Sequence, residues 1–335
     1  MKQDMPPGIV SRPPGSVGAR ALMSPRALAS PFFRTLTDVC ERNGVHLTGV
    51  NVLRQRRVLP GARNLITWGM HVPRAEYDKD DRNVLWMENG LLGQRNVQID
   101  HRGLWGDASL VVEGTNRADF DDTEDDALSE LVRKEFGWDD QYGCDRDGPV
   151  LVALSTPADA TTNWYYPAGV DAEDKTVHFV RLLAEVMDID RPVIIRPHPW
   201  TRNHWKRVKS GLRRYHWRDS WTVDGTTPVY EMLPRCSGLV TISSAMATEA
   251  MCLSMPVATY GSGCWSGSGA VIDCRHDHRA VSGLFRDPAD RDAQRRYLCA
   301  LARAQVSPSA TVEELERHPS LRKWLDRCRL SATSK

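Results

Sequence analysis

The chain has 335 residues, 41% hydrophobic and 26% charged, a normal balance for a globular protein with room for two domains. Its formal net charge of +1 means that any basic surface is local. No apolar run approaches bilayer length, and the eight cysteines contain no C-x-x-C pair, so the sequence suggests neither a transmembrane helix nor a disulfide framework nor a cysteine zinc site. The first residues lack the apolar core of a secretory signal, and we expect a cytoplasmic protein with reduced cysteines, with room for peripheral contact with the inner membrane.

Residues 1–30 are rich in Pro, Gly, Ser and Arg without clear periodicity, and are expected to form a disordered tail. A helix is predicted from Phe32 to Asn43, ended by Gly44, and a strand from Val45 to Val50. Further strands are predicted at Asn64–Trp68, Asn83–Met87 and Ser109–Val112. The acidic run Asp119–Asp126 leads into a helix, Ala127–Phe136, whose N-terminal dipole favours those carboxylates. The polar segment 138–148 marks a domain boundary, separating an acceptor-side domain, 31–148, from a second domain, 149–335. In the second half, strands at Val150–Leu154, Val193–Arg196, Leu239–Ile242 and Pro256–Tyr260 alternate with helices. Those helices are Lys175–Met187, Asn203–Arg214, Val229–Cys236 and Ala245–Leu253. Two amphipathic helices follow, one from Pro288 to Ala304 with Asp287 as N-cap, the other from Val312 to Cys328. Such alternation predicts two doubly wound α/β domains.

Two strand ends carry chemistry. Val193-Ile194-Ile195-Arg196-Pro197-His198-Pro199 stops abruptly at a histidine whose neighbouring prolines fix the backbone. A rigid His198 can donate to a phosphate oxygen, and Arg196 can add charge there. In Gly238-Leu239-Val240-Thr241-Ile242-Ser243-Ser244-Ala245, Ser243 and Ser244 lie where a strand turns into a helix. Hydroxyls there cap the helix, and its free N–H groups suit an anion. Glu249, on the first turns of that helix, can accept hydrogen bonds from ribose hydroxyls. Ligands of open parallel sheets bind at this edge.

The R-P-H-P strand end, the S-S-x-x-x-x-E-A turn and the S-M-P-V-A strand together resemble the C-terminal domain of GT-B glycosyltransferases. More narrowly, they resemble capsule-polysaccharide transferases of the Kdo-transferase type and bacterial sialyltransferases, over residues 150–265. The resemblance implies two Rossmann-like domains facing a cleft, and a nucleotide-sugar donor as co-substrate with no cofactor and no metal. It implies phosphate contacts from His198, Ser243 and Ser244, with Glu249 facing the nucleoside. The loop Tyr260–Gly269 is read as a flexible cleft loop whose Gly261 and Ser262 approach the donor. Val84-Leu85-Trp86-Met87-Glu88-Asn89-Gly90 is similar to an acidic-acidic-glycine motif on the acceptor side of those families. Asparagine in the middle leaves Glu88 as its carboxylate and as the general base. Asp100 and His101 are the next base candidates.

Between Arg196 and Trp221, basic residues interleave with tryptophans. Lys206, Arg207, Lys209 and Trp205 are expected to bind a polyanionic acceptor, a glycan or DNA with a hydroxylated base. An amphipathic helix with inward tryptophans explains the same pattern. The strings Asp78-Lys79-Asp80 and Asp145-Arg146-Asp147 match a metal-binding D-x-D, but neither follows an apolar strand. A nucleotide-sugar epimerase on the same fold, and a non-catalytic nucleic-acid-binding protein, are the alternatives to a transferase.

Overall fold

The computed structural model describes residues 17–23, 28–51, 62–69, 77, 82–93, 96–138, 143–156, 162, 166, 175–187, 190–199, 221–286, 288 and 290–333. These fall into two units. The first lies within Met1–Glu88, Ile99–Arg102 and Val306–Lys335, the second within Asn89–Gln98 and Gly103–Gln305. The fold is α/β, with two largely parallel six-stranded sheets.

One sheet holds β1 (Val17–Met23), β2 (Val45–Asn51), β3 (Asn64–Trp68), β4 (Asn83–Asn89), β5 (Val97–Asp100) and β12 (Gln305–Val306), in the order β12-β5-β4-β3-β1-β2. Strand β1 pairs in parallel with both β2 and β3, and β3 with β4. Residues 17–23, expected in the tail, are therefore an interior strand. Their Gly-Ala-Arg composition hides it: Ala19 and Ala21 are buried because strands flank them, a tertiary effect that propensity does not register. Helix α1 (Pro31–Arg42) starts at Ser30, whose Oγ accepts from Phe33 N at 3.2 Å, with Pro31 in the first turn. It buries Phe32, Leu36, Val39 and Cys40, the stripe a 3.6-residue period places on one side.

The second sheet holds β6 (Val150–Ala153), β7 (Val193–Arg196), β8 (Trp221–Val223), β9 (Gly238–Thr241), β10 (Val257–Thr259) and β11 (Ile272–Asp273). Its order is β11-β10-β9-β6-β7-β8, and every neighbouring pair is parallel. Counted from β6, this is the 3-2-1-4-5-6 order of dinucleotide-binding folds, whose order reverses between β6 and β9. Every residue of β6 and β9 is buried, as expected of strands covered on both faces.

Helix α2 (Ser109–Val112) occupies a stretch expected as a strand; a run of three apolar residues cannot distinguish the two, and only Leu110 is buried. Helix α3 (Asp122–Phe136) has Asp121 as N-cap and ends at Gly137, whose φ of 71° needs no Cβ accommodation. It follows as expected from the acidic run, yet it belongs to the second unit, not to an acceptor domain ending at 148. The reason is packing: it lies on α7 (Arg291–Arg303), where Arg295 pairs with Asp125. Before α7 come α4 (Lys175–Val186), α5 (Val229–Met232) and α6 (Met246–Cys252). The N-cap of α7 is Asp290, which accepts from Asp292 N at 3.0 Å, three residues beyond the Asp287 expected from the Asp-Pro signal.

The single predicted helix Val312–Cys328 is two, α8 (Val312–Arg317) and α9 (Pro319–Thr333). Pro319 disfavours helical backbone at His318, which sits at ψ 121°. Both belong to the first unit rather than the second, because α9 packs on β1 and β2 and α8 on α1. Trp324 Nε1 donates to Asn83 O at 3.1 Å, and Asn83 Nδ2 returns a bond to Trp324 O at 3.0 Å. Among the described residues, no helix is long and apolar enough to cross a membrane.

Candidate functional site

At the reversal point of the second sheet, the C-terminal ends of β6, β7 and β9 open into a cavity of about 370 Å³. Thr241, the last residue of β9, ties its edges together: its Oγ1 donates to Ala153 O at 3.0 Å and accepts from Ser244 N at 3.3 Å. Leu154 N donates to Arg196 O at 3.0 Å, so the segment after β6 continues alongside β7. Ser155 follows. Its hydroxyl lies buried in the cavity wall with no hydrogen-bond partner among the described residues. A buried hydroxyl left unsatisfied is costly unless something completes it.

Arg196 and His198 line the same cavity, with Ser243, Ser244 and Glu249, so five of the expected donor residues meet in one place. Arg196 is buried and Nη1 donates to Thr227 O at 2.7 Å, which fixes the guanidinium. The Thr227 carbonyl is itself placed by Asp224. That carboxylate accepts from Thr226 N and Thr227 N at 2.8 and 3.0 Å and from both threonine hydroxyls. Those bonds, from Thr227 first, hold the Asp224 carboxyl well below the usual carboxylate range. Ser243 is buried, and Ser244 Oγ accepts from Met246 N at 3.3 Å, one residue further into the turn than a standard N-cap. Glu249 is 6% exposed. Burial pushes its carboxyl up to about 7, and the Arg196 charge opposes that rise.

Gly261 and Ser262 do not line this cavity. Gly261 N donates to Ile242 O at 2.8 Å, and Ser262 Oγ accepts from Arg275 Nη1 at 2.6 Å, beside the Arg275–Asp273 pair. Their loop, expected to be flexible, is a built turn. Ser266 Oγ accepts from Gly263 N at 3.0 Å, and Ser268 Oγ donates to Trp265 O at 2.6 Å. Buried Asn116 donates to Cys264 O and Ser266 O at 2.9 and 3.1 Å. Trp265 fills its centre, fully buried. Glycine and serine signalled freedom; here they make room and supply bonds.

In the first unit, Glu88 stands near the end of β4, half-buried after four buried residues. Asp100 is fully buried and its Oδ1 accepts from Arg102 N at 2.7 Å, closing a turn. His101 Nδ1 lies 3.1 Å from Ser320 Oγ on α9. These bonds give Asp100 and His101 structural partners. Trp205, Lys206, Arg207 and Lys209 lie outside the described residues, as does Asp78-Lys79-Asp80. Trp221, grouped with that patch, is buried in β8.

The sequence reading missed Ser155 and Asp224, and also Trp105 and Tyr230, which line the same cavity. Ser155 follows a short apolar strand and carried no motif; the D-x-T-T-P string at Asp224–Pro228 is a turn signal that could have been used.

Residues 170–307 match the family model described as capsule polysaccharide biosynthesis protein. Among solved structures, the chain is similar to the β-Kdo 2,7-transferase of Thermosulfurimonas dismutans KpsC. That match has 15% identity and a TM-score of 0.53, covering 85% of this chain and 90% of that one. The β-Kdo 2,4-transferase of the same KpsC matches at 16% identity and a TM-score of 0.50, covering 84% and 89%. Among curated proteins, none matches the sequence. The resemblance to capsule-polysaccharide proteins, first drawn from three short strings, is thus found again by a family model and by fold.

Proposed function

We propose that this protein is a glycosyltransferase that takes a nucleotide-activated sugar into the cavity at the β6–β9 reversal and transfers the sugar to a glycan hydroxyl. The observation that carries this is the meeting of Arg196, His198, Ser243, Ser244 and the orphaned Ser155 hydroxyl around one cavity. Guanidinium, imidazole and hydroxyl donors converging at a reversal point suit phosphate oxygens. Glu249, whose carboxyl is held near neutrality, can accept from a ribose hydroxyl or donate to it. The capsule-synthesis family match and the Kdo-transferase fold support this class of reaction over others that use the same architecture.

In this reading the acceptor hydroxyl loses its proton to Glu88 as its oxygen attacks the anomeric carbon. The bond from that carbon to the donor phosphate breaks, and the nucleotide leaves with the electron pair. Arg196 and His198 stabilise the charge that develops on the departing phosphate, the role a metal takes in other transferases. The proposed reaction therefore proceeds in EDTA. The basic segment with Trp205, Lys206, Arg207 and Lys209 is proposed to hold an anionic acceptor.

A thermal-shift screen of CMP, UDP, GDP and ADP sugars tests the reading, since a ligand that binds only the folded state raises the melting temperature. One nucleotide class should stabilise the wild type, with a much smaller shift in His198→Ala and Ser155→Ala. A wild type that none of the four stabilises would sink the proposal.

A further inference from the structure

Trp105 stands in the wall of the same cavity, and its backbone is out of place for its side chain. Its φ is +55°, in the left-handed region that a bulky residue rarely occupies. It begins a short turn in which Asp107 N donates to Leu104 O at 3.1 Å and Ala108 N to Trp105 O at 3.2 Å. The left-handed backbone falls on Trp105 and not on the adjacent Gly106, where a glycine would carry it without cost. A strained residue of this kind persists where its surroundings over-determine it, and such residues gather at ligand sites.

Those surroundings are visible. Trp105 meets Trp265 edge to face, with ring centroids 6.4 Å apart and planes at 80°. Trp265 is fully buried, in the turn that Asn116 clamps through the Cys264 and Ser266 carbonyls. Gly263 lets the Trp265 ring lie against the backbone, since a Cβ there would come within 2.3 Å of it. Trp105 itself is only half-buried, and the residue that Trp265 steadies lines the cavity. A residue serving only the core could be buried fully and without strain. This one is held firmly and left partly open.

We infer that Trp105 is the aromatic wall for the ring-bearing part of the ligand: it binds the nucleoside and contributes nothing to phosphate recognition. The inference rests on the nucleotide reading of the cavity. Flat apolar faces stack on indole with little regard to which base they belong to, whereas phosphate takes its energy from Arg196, His198 and hydroxyl donors.

Calorimetric titration of wild type, Trp105→Ala and Trp105→Phe with CMP, UDP, GDP, ADP and inorganic pyrophosphate tests it. For the nucleotide that wild type binds best, Trp105→Ala should lose roughly 5- to 100-fold in affinity, the usual worth of a stacked base. Pyrophosphate affinity should not change, and Trp105→Phe should recover most of the loss. Trp105→Gly, which relieves the backbone, should melt above Trp105→Ala while binding nucleotide as poorly. Unchanged nucleotide affinity in Trp105→Ala, or an equal loss for pyrophosphate, would overturn the inference and leave the cavity assignment standing. A wild type that binds no nucleotide would remove the cavity assignment first, and this inference with it.

Discussion

Glu249 places a titratable group with a value near 7 inside the proposed nucleotide site. An unfolded chain ionises the same carboxyl near 4.5, so between about 4.5 and about 7 the folded state binds more protons. Stability contributed by the neutral form is complete below that window and is lost as pH rises through it. Glu249→Gln should therefore gain stability relative to wild type as pH rises from 5 to 8, measured by urea denaturation at each pH. Nucleotide affinity of the wild type should fall relative to the glutamine variant over the upper part of the same range, as a negative charge appears in a site that binds an anion. The Asp224 turn gives a subtler expectation. Asp224→Ala releases the Thr227 carbonyl that anchors Arg196, and should weaken nucleotide binding by about tenfold, the worth of one charged hydrogen bond, with the cavity otherwise intact. Glu88 tests the chemical step. Glu88→Gln keeps size and most hydrogen bonding, so donor binding should survive while turnover falls by roughly two to four orders of magnitude. Near-normal turnover in that variant would exclude Glu88 as the base.

At the level of elements, the turn after β10 supports the site through Trp105 without lining it. A methyl at Gly263 would overlap the ring of Trp265, a buried side chain with nowhere to move. Gly263→Ala should cost at least about 1–3 kcal/mol by denaturation, and should reduce nucleotide affinity as well, because Trp105 leans on the displaced ring. A variant as stable as wild type would show that the turn has slack. The same turn shows where sequence reading reaches its limit. Strands β7 and β9 were legible because buried parallel strands are continuous apolar runs that end in polar groups, and five of the donor residues followed from them. Gly261 and Ser262 were placed in the site from composition alone, and composition does not say which way a loop folds. Ser155 and Trp105 were invisible for a related reason. Each matters because of what surrounds it, a missing partner in one case and a strained backbone in the other, and neither property is local in sequence. Strand β1 was hidden because alanine and glycine become an interior strand only when neighbours bury them.

In the whole molecule, the first unit draws on both early and late parts of the chain. Strands β1 to β4 are joined by α8 and α9, and the bonds from Asn83 to Trp324 and between His101 and Ser320 span more than two hundred residues. A chain stopped after residue 305 should lose the first unit's cooperative unfolding while the second unit keeps its nucleotide-induced thermal shift, read by calorimetry with and without ligand. Loss of that ligand shift would mean that the second unit cannot stand without α8 and α9. The arrangement also sets an order of events during synthesis. The first unit's strands leave the ribosome before the second unit's yet must wait, with the apolar face that Trp324, Leu325 and Cys328 will cover still open, until residues 306–333 have followed the whole second unit. The second unit, nearly continuous in sequence, can finish before them. Of the two units, the one begun first is thus the one completed last, and during that interval it has most need of a chaperone.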